Sequence, residues 1–289
     1  MKKAVTWLVQ YLLYSNLFIA ACALAFIGEG YLLMGAEIKT DALFYLTGAS
    51  ALFTYMLIRL VAIKRISTYE PESRWDFFFR NLKLLRITTY LAAIASVVLF
   101  FCIPLKLQIT LLVPGLISVL YGVPLGKKFR LRDIGIIKIF LISFVWSYIA
   151  SILPAVNADI TIDFSIILLF LANYCFVFAI TLPFDIKDLK IDKISNVKTI
   201  PVYIGEENTY NLSALLLFIA AGLHVYLQRE IFSNDVDYTV PLSISILITM
   251  LVVWITRKKR NNSLIYFGLL DGMLIVQFLL CFLYRMNNI

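Results

Sequence analysis

The chain alternates between long apolar runs and short polar segments along its whole length. Each apolar run holds about 17–25 residues, which is the length that an α-helix needs to cross a bilayer. Helices satisfy their own backbone hydrogen bonds in lipid, so they are the default spanning element. The pattern predicts nine spans, at about residues 5–28, 42–63, 87–104, 107–124, 135–154, 162–184, 210–228, 240–256 and 264–284.

Composition supports this all-α, polytopic membrane bundle. Of the 289 residues, 61% are hydrophobic and only 15% are charged, and the mean hydropathy is +0.88. No polar stretch between the runs is long enough for a soluble domain. We therefore expect a single transmembrane helical domain over residues 1–289, with cytoplasmic loops at 64–86, 125–134, 185–209 and 257–263.

The net charge of +8 is a topology signal and does not indicate a nucleic-acid partner. Most lysines and arginines, Lys138 among them, lie before the first span or in and around these four loops. Because cytoplasmic loops are rich in Lys and Arg, this distribution predicts a cytoplasmic N-terminus and an external C-terminus. The four cysteines lack metal-site or disulfide spacing, and the single histidine has no partner ligand nearby in sequence.

Three aspartates follow the sixth predicted span, at Asp185, Asp188 and Asp192. On a helix that continues through them, offsets of 0, 3 and 7 residues place the carboxylates within about 60° of one another. Carboxylates so close repel one another unless a cation lies among them, and their hard oxygen ligands suit Mg²⁺. The alternative is a solvated, mixed-charge helix end.

Acidic groups at the mouth of an apolar bundle, with basic loops beside them, suggest a lipid diphosphate as the ligand. Mg²⁺ held by the aspartates would bridge to diphosphate oxygens, and nearby lysines such as Lys198 would neutralise the remaining charge. Lys127 and Lys128 follow Tyr121 and a turn-rich exit from the fourth span, so they are placed to face the same side. Their alternative role is to set the topology.

The stretch from Asp185 to Asp192, followed by Lys198, Pro201 and Gly205, resembles the second aspartate-rich motif of the UbiA superfamily of intramembrane prenyltransferases. The Tyr121-x-x-Pro124 turn with its two lysines is similar to that family's loop between spans four and five. The resemblance implies a UbiA-like helical bundle with Mg²⁺ as cofactor. It also implies transfer of an isoprenoid chain from a prenyl diphosphate to a lipophilic acceptor, an aromatic ring or another lipid-soluble nucleophile.

One family feature is missing. Members carry a first motif, Asn-x-x-x-Asp-x-x-x-Asp, at the end of the second span, but here those positions hold no carboxylate. They are Met56, Leu60 and Lys64 in one register, or Tyr55, Arg59 and Ile63 in the other. We hypothesise that Arg59, with Lys64, supplies positive charge directly to the diphosphate in place of a metal.

A charged residue within a span is costly and usually faces the bundle interior with a partner. The alternative for Arg59 is therefore a buried pair with Asp271, the acidic residue deep in the last span. Two other functions stay open: a family relative that binds a prenyl diphosphate or lipid without catalysis, and a small transporter that uses Arg59 and Asp271 as an intramembrane charge pair.

Overall fold

The structure is a computed structural model, and it describes residues 11–63, 73–122, 134–194, 197–232, 236–259 and 265–288. All regular elements in these ranges are helical. They are α1 (Leu17–Leu33), α2 (Ala42–Ile63), α3 (Ser73–Arg80), α4 (Leu82–Cys102), α5 (Leu105–Gly122), α6 (Gly135–Asn157), α7 (Phe164–Ile194), α8 (Ile200–Tyr226, followed by a π-helical turn, Leu227–Ile231), α9 (Thr239–Lys258) and α10 (Met273–Asn288, preceded by a π-helical turn, Ile265–Leu270).

Within the described ranges, eight helices are long and apolar enough to cross a bilayer, and α1 is a shorter apolar helix. The prediction of an all-α, polytopic membrane bundle is therefore confirmed. The two boundaries on either side of the aspartate segment each differ from the predicted one by ten residues. Helix α7 continues ten residues past residue 184, and α8 begins at Ile200 instead of residue 210, with a non-helical Gly205 (φ 81°) inside it. Helical hydrogen bonding thus persists where hydropathy falls.

The first predicted span is interrupted within the bundle. Residues 11–14 are helical, Ser15 and Asn16 form a turn, and α1 starts anew at Leu17 and ends at Leu33. Asn16 has left-handed backbone dihedrals (φ 61°, ψ 9°), which only Gly, Asn and Asp adopt at low cost. Asn16 tolerates the left-handed conformation and ends the preceding helical turn. A hydropathy profile does not detect this break, because one polar residue hardly changes the average over a span.

Helix α1 lies at the centre and packs against α2, α6 and α10, whereas α4 and α5 are peripheral. The outer helices present large apolar side chains outward, as expected of lipid-facing surfaces: Tyr90, Leu91, Ile94, Val98, Phe101, Leu112 and Leu116. Helices α1 and α6 approach closely at Gly30, where an added Cβ would lie 2.0 Å from the carbonyl oxygen of Ala150. Small residues allow such contacts between membrane helices.

This contact predicts a large difference between two glycine substitutions. Gly30→Ala should lower the free energy of unfolding by about 3 kcal/mol, because overpacking against a backbone carbonyl forces the two helices apart. Gly222→Ala is the matched control, since no described atom lies within 4 Å of its added Cβ. It should leave the melting temperature unchanged or slightly raised, since Ala favours helix. Thermal denaturation in detergent measures both, and equal effects would contradict the close contact.

Candidate functional site

A cavity of about 310 Å³ opens at one end of the bundle, bounded by the break in α1 and by α2, α5, α6, α7 and the turn preceding α10. Its apolar wall is rich in aromatic rings, including Tyr55, Tyr121, Trp146, Phe184 and Phe267. The polar side chains that line it are Asn16, Arg59, Lys138, Thr181, Asp185, Asp188 and Asp271. Charged groups and an apolar interior thus share one compartment.

Lys138 and Asp185 form an ion pair between α6 and α7. Lys138 Nζ lies 2.5 Å from Asp185 Oδ1, and the two side chains are only 19% and 3% exposed. The second carboxylate oxygen, Asp185 Oδ2, is buried and finds no hydrogen-bond partner among the described residues. An unsatisfied charged oxygen at a cavity wall is costly unless a ligand or cation completes it.

The other two aspartates differ in their surroundings. Asp188 is exposed and lines the cavity one turn beyond Asp185. Asp192 lies outside the cavity wall as described; it is 9% exposed and accepts a hydrogen bond from Thr199 Oγ1 at 3.2 Å. Burial raises the pKa of the Asp192 carboxyl above its ordinary value, although Lys138 acts in the opposite direction. Asp192 therefore fixes the connection to α8, where Thr199 precedes the first helical residue.

Arg59 reaches the cavity from α2 and is held from several sides. Its Nη1 donates to the backbone carbonyl of Tyr14 at 3.0 Å, and its guanidinium lies 5.2 Å from the ring of Phe78 and 5.6 Å from that of Phe267. It also attracts the half-buried carboxylate of Asp271, which lines the same cavity. Arg59 and Asp271 therefore line the same cavity. This placement is compatible with both roles considered for Arg59, as a cation for a ligand and as a partner of Asp271.

The inner end of the cavity is closed by aromatic packing. Trp146 Nε1 donates to the hydroxyl oxygen of Tyr55 at 3.1 Å, and Phe26 packs against Trp146 with ring centroids 6.3 Å apart. Further along α6, the Gly30–Ala150 contact brings two backbones together. The polar groups therefore lie at the open end, and a closed apolar end lies beyond them.

The predicted site residues are only partly gathered here. Arg59, Tyr121, Asp185 and Asp188 line the cavity, and Asp192 is adjacent to it. Lys198 is absent from the described lining; its carbonyl oxygen instead packs against Gly135 at the start of α6. Three further predicted residues lie outside the described residues: Lys64, Lys127 and Lys128.

Lys138 and Asn16 are two of the polar residues of the wall that sequence reasoning missed. The distribution of basic residues places Lys138 among the topology-setting lysines, although it lies inside the predicted span 135–154. An ionisable residue within a span is itself a signal of a functional role, and it could have singled out Lys138. Asn16 offers no comparable signal, because a lone asparagine in an apolar run does not reveal a helix break.

The donor set fits one Mg²⁺ shared with a phosphorylated ligand. Across the described residues, no three His, Cys, Asp or Glu side chains are grouped closely enough to form a complete metal site. Mg²⁺, however, is commonly bound by one or two carboxylates together with substrate phosphates. The unsatisfied Asp185 Oδ2 and the exposed Asp188 supply two such carboxylates. Helix α2 has no acidic residue, so it cannot supply a second cluster.

The Lys138–Asp185 pair yields a stability prediction. Lys138→Met should lower the free energy of unfolding by about 3 kcal/mol, because it leaves a buried carboxylate without its cation. The double variant Lys138→Met/Asp185→Asn should recover most of this loss. Lys106→Met, which breaks an exposed pair with Asp159, is the matched control and should change little. Thermal denaturation in detergent tests this, and an unaltered Lys138→Met protein would argue against the buried pair.

Comparisons with known proteins agree on one family. The sequence profile of the UbiA prenyltransferase family matches residues 81–270. A structure of digeranylgeranylglyceryl phosphate synthase is 16% identical, with a TM-score of 0.59 over 100% of this chain and 99% of that one. A UbiA homologue from Archaeoglobus fulgidus bound to GPP and Mg²⁺ is 14% identical, with a TM-score of 0.63 over 93% and 99% of the two chains.

A UbiA homologue from Archaeoglobus fulgidus bound to DMAPP and Mg²⁺ is 14% identical to this chain, with a TM-score of 0.64 over 94% and 98% of the two chains. At these identities the likeness shows a shared fold, and it extends over almost the full length of each protein. The comparison with curated protein sequences gives no match.

Proposed function

The chain belongs to the UbiA prenyltransferase family, and on that premise we propose that it is a membrane enzyme. In this proposal it moves an isoprenoid chain from a prenyl diphosphate to a lipid-soluble acceptor, with loss of diphosphate. The observation that carries the proposal is that one cavity has Arg59, Lys138, Asp185 and Asp188 at its open end and an aromatic, apolar interior. A prenyl diphosphate has the same division into a charged head and an apolar chain.

The reaction begins when the bond between the allylic carbon and the diphosphate oxygen breaks, and its electron pair leaves with the diphosphate. Arg59 and Lys138 stabilise this developing negative charge, which is the dominant way in which preorganised sites lower such barriers. Magnesium bound at Asp185 and Asp188 would add further positive charge there. The solved homologue with GPP and Mg²⁺ supports this ligand pair.

The allylic cation left behind needs protection from water until the acceptor attacks. The wall beyond the charged groups is apolar, and the faces of Tyr55 and Trp146 can stabilise positive charge. The acceptor nucleophile then forms the new bond to the allylic carbon and releases a proton. An aromatic acceptor ring fits such a wall. A glycerol-based lipid is the other candidate acceptor, because digeranylgeranylglyceryl phosphate synthase has a similar fold.

We also propose that the open end of the cavity faces the cytoplasm, with the N-terminus on that side and the C-terminus outside. The ends of α7 and α9 support this orientation, because both carry basic residues: Lys187, Lys190, Lys193, Arg257 and Lys258. Lys and Arg are enriched on the cytoplasmic side of membrane proteins. The whole chain would then form one transmembrane domain.

Calorimetric titration of the detergent-solubilised protein with geranyl diphosphate tests the proposal. Binding should require Mg²⁺, and turnover should follow with an acceptor drawn from a panel of aromatic and glycerol-based lipids. Absence of binding with and without Mg²⁺ would refute the function. Binding without turnover across the panel would favour a relative that has lost catalysis, an alternative suggested by the absence of acidic residues in α2.

A further inference from the structure

The break before α1 leaves an unusual polar group in the cavity wall. Asn16 is 2% exposed, yet its side-chain Nδ2 has no hydrogen-bond partner within the described part of the chain. The side chain makes no capping bond to α1, although asparagine at this position commonly does so. Asn16 nevertheless lines the cavity. A buried amide without a partner is costly, and a ligand in the cavity would complete its hydrogen bonding.

The surroundings of Asn16 favour an anion as that ligand. Helix α1 is 17 residues long and begins immediately after Asn16. The first N–H groups of a helix have no acceptor within that helix, and the dipole gives this end a partial positive charge. Arg59 adds a full positive charge beside the break, because its Nη1 donates to the carbonyl oxygen of Tyr14, two residues before Asn16. This part of the wall therefore combines hydrogen-bond donors with positive charge.

Negative charge comes from α7, on which Asp185 and Asp188 offer carboxylate oxygens to the same cavity as cation ligands. We propose that Asn16 Nδ2 donates directly to a non-bridging oxygen of the diphosphate, together with the N-terminal turn of α1. One phosphate is then held through α7, and the other is held without metal by α1 and Arg59. In this proposal, Asn16, the N-terminal turn of α1 and Arg59 together take the place of the carboxylate cluster that α2 lacks. This inference rests on the proposed function and adds a substrate-binding residue to it.

Asn16→Gly tests the proposal, because glycine adopts φ 61° without strain and lacks the side-chain amide. Its affinity for geranyl diphosphate should fall about tenfold, the size expected for one hydrogen bond to a charged group. Asp159→Gly is the matched control, since Asp159 is the other described non-glycine residue with positive φ (58°) and lies outside the cavity lining. Its affinity should equal that of the wild type.

A second readout separates binding from a merely structural role. Without ligand, Asn16→Gly should melt at the wild-type temperature or above it, because a buried unsatisfied amide is gone. Asn16→Ala removes the same amide but retains a Cβ, so an equal loss of affinity in both variants excludes an effect of glycine flexibility. Wild-type affinity in either variant overturns the inference alone, whereas a wild-type protein that does not bind geranyl diphosphate overturns the proposed function as well.

Discussion

An Asp188→Asn protein is expected to bind geranyl diphosphate in the presence of Mg²⁺ at least about 100-fold more weakly than the wild type, with turnover falling in parallel. Asp188 lines the cavity with an exposed carboxylate, and the amide has nearly the same shape but no charge to offer a cation. The buried Lys138–Asp185 pair is left in place, so the fold should be unaffected. Calorimetric titration at several Mg²⁺ concentrations measures the effect.

The matched control for this variant is Asp163→Asn. Asp163 is also exposed and immediately precedes the other end of α7, where its Oδ1 accepts from the backbone N–H groups of Ser165 and Ile166. Asparagine caps helices about as well as aspartate, so neither binding nor the melting temperature should change. Equal Mg²⁺-dependent affinities in Asp188→Asn and the wild type would show that α7 does not hold the cation.

The second large effect is expected at Arg59. Arg59→Leu should weaken geranyl diphosphate binding about 100-fold, because it removes a charged donor from the site of the diphosphate. Arg257→Leu is the control, since Arg257 lies at the exposed end of α9 and pairs with Glu207. Titration of both variants under identical conditions gives the comparison, and unchanged affinity in Arg59→Leu would eliminate direct contact.

A double variant decides between the two roles of Arg59. Arg59→Leu alone leaves the half-buried Asp271 without the cation that attracts it, so stability should also fall. In Arg59→Leu/Asp271→Leu both charges are absent, and the melting temperature should return toward the wild-type value. Affinity should stay low if Arg59 contacts the diphosphate. If affinity recovers together with stability, then Arg59 serves only as the partner of Asp271.

The aspartate stripe illustrates how far spacing alone can predict a site. Offsets of three and four residues correctly placed the carboxylates on a helix that continues beyond the apolar run, because helix periodicity depends only on the chain itself. Spacing could not predict that the three carboxylates have different environments. Asp185 is buried by Lys138 of α6, Asp188 is exposed in the cavity, and Asp192 is held by Thr199. Each outcome depends on a residue from another segment.

Arg59 was singled out because a charge in a membrane span needs a buried partner or a ligand. That argument named Asp271 as a partner but not Tyr14, Phe78 or Phe267, which hold the guanidinium in place. Lys138 was overlooked because lysines near span ends commonly set topology. Only the packing of α6 against α7 shows that it faces a carboxylate inside the bundle.

Hydropathy and motif spacing are enough to predict the class of protein, the approximate spans and the family. Both are local properties of the chain, and they depend only on bilayer thickness and helix geometry. The polar groups that share the cavity and the position of the break before α1 become visible only when the helices are packed together. Those features depend on the rotation and depth of each helix against its neighbours, and helix–helix packing sets both. The Lys138–Asp185 pair and the inward-facing Asn16 are therefore visible only in the folded bundle.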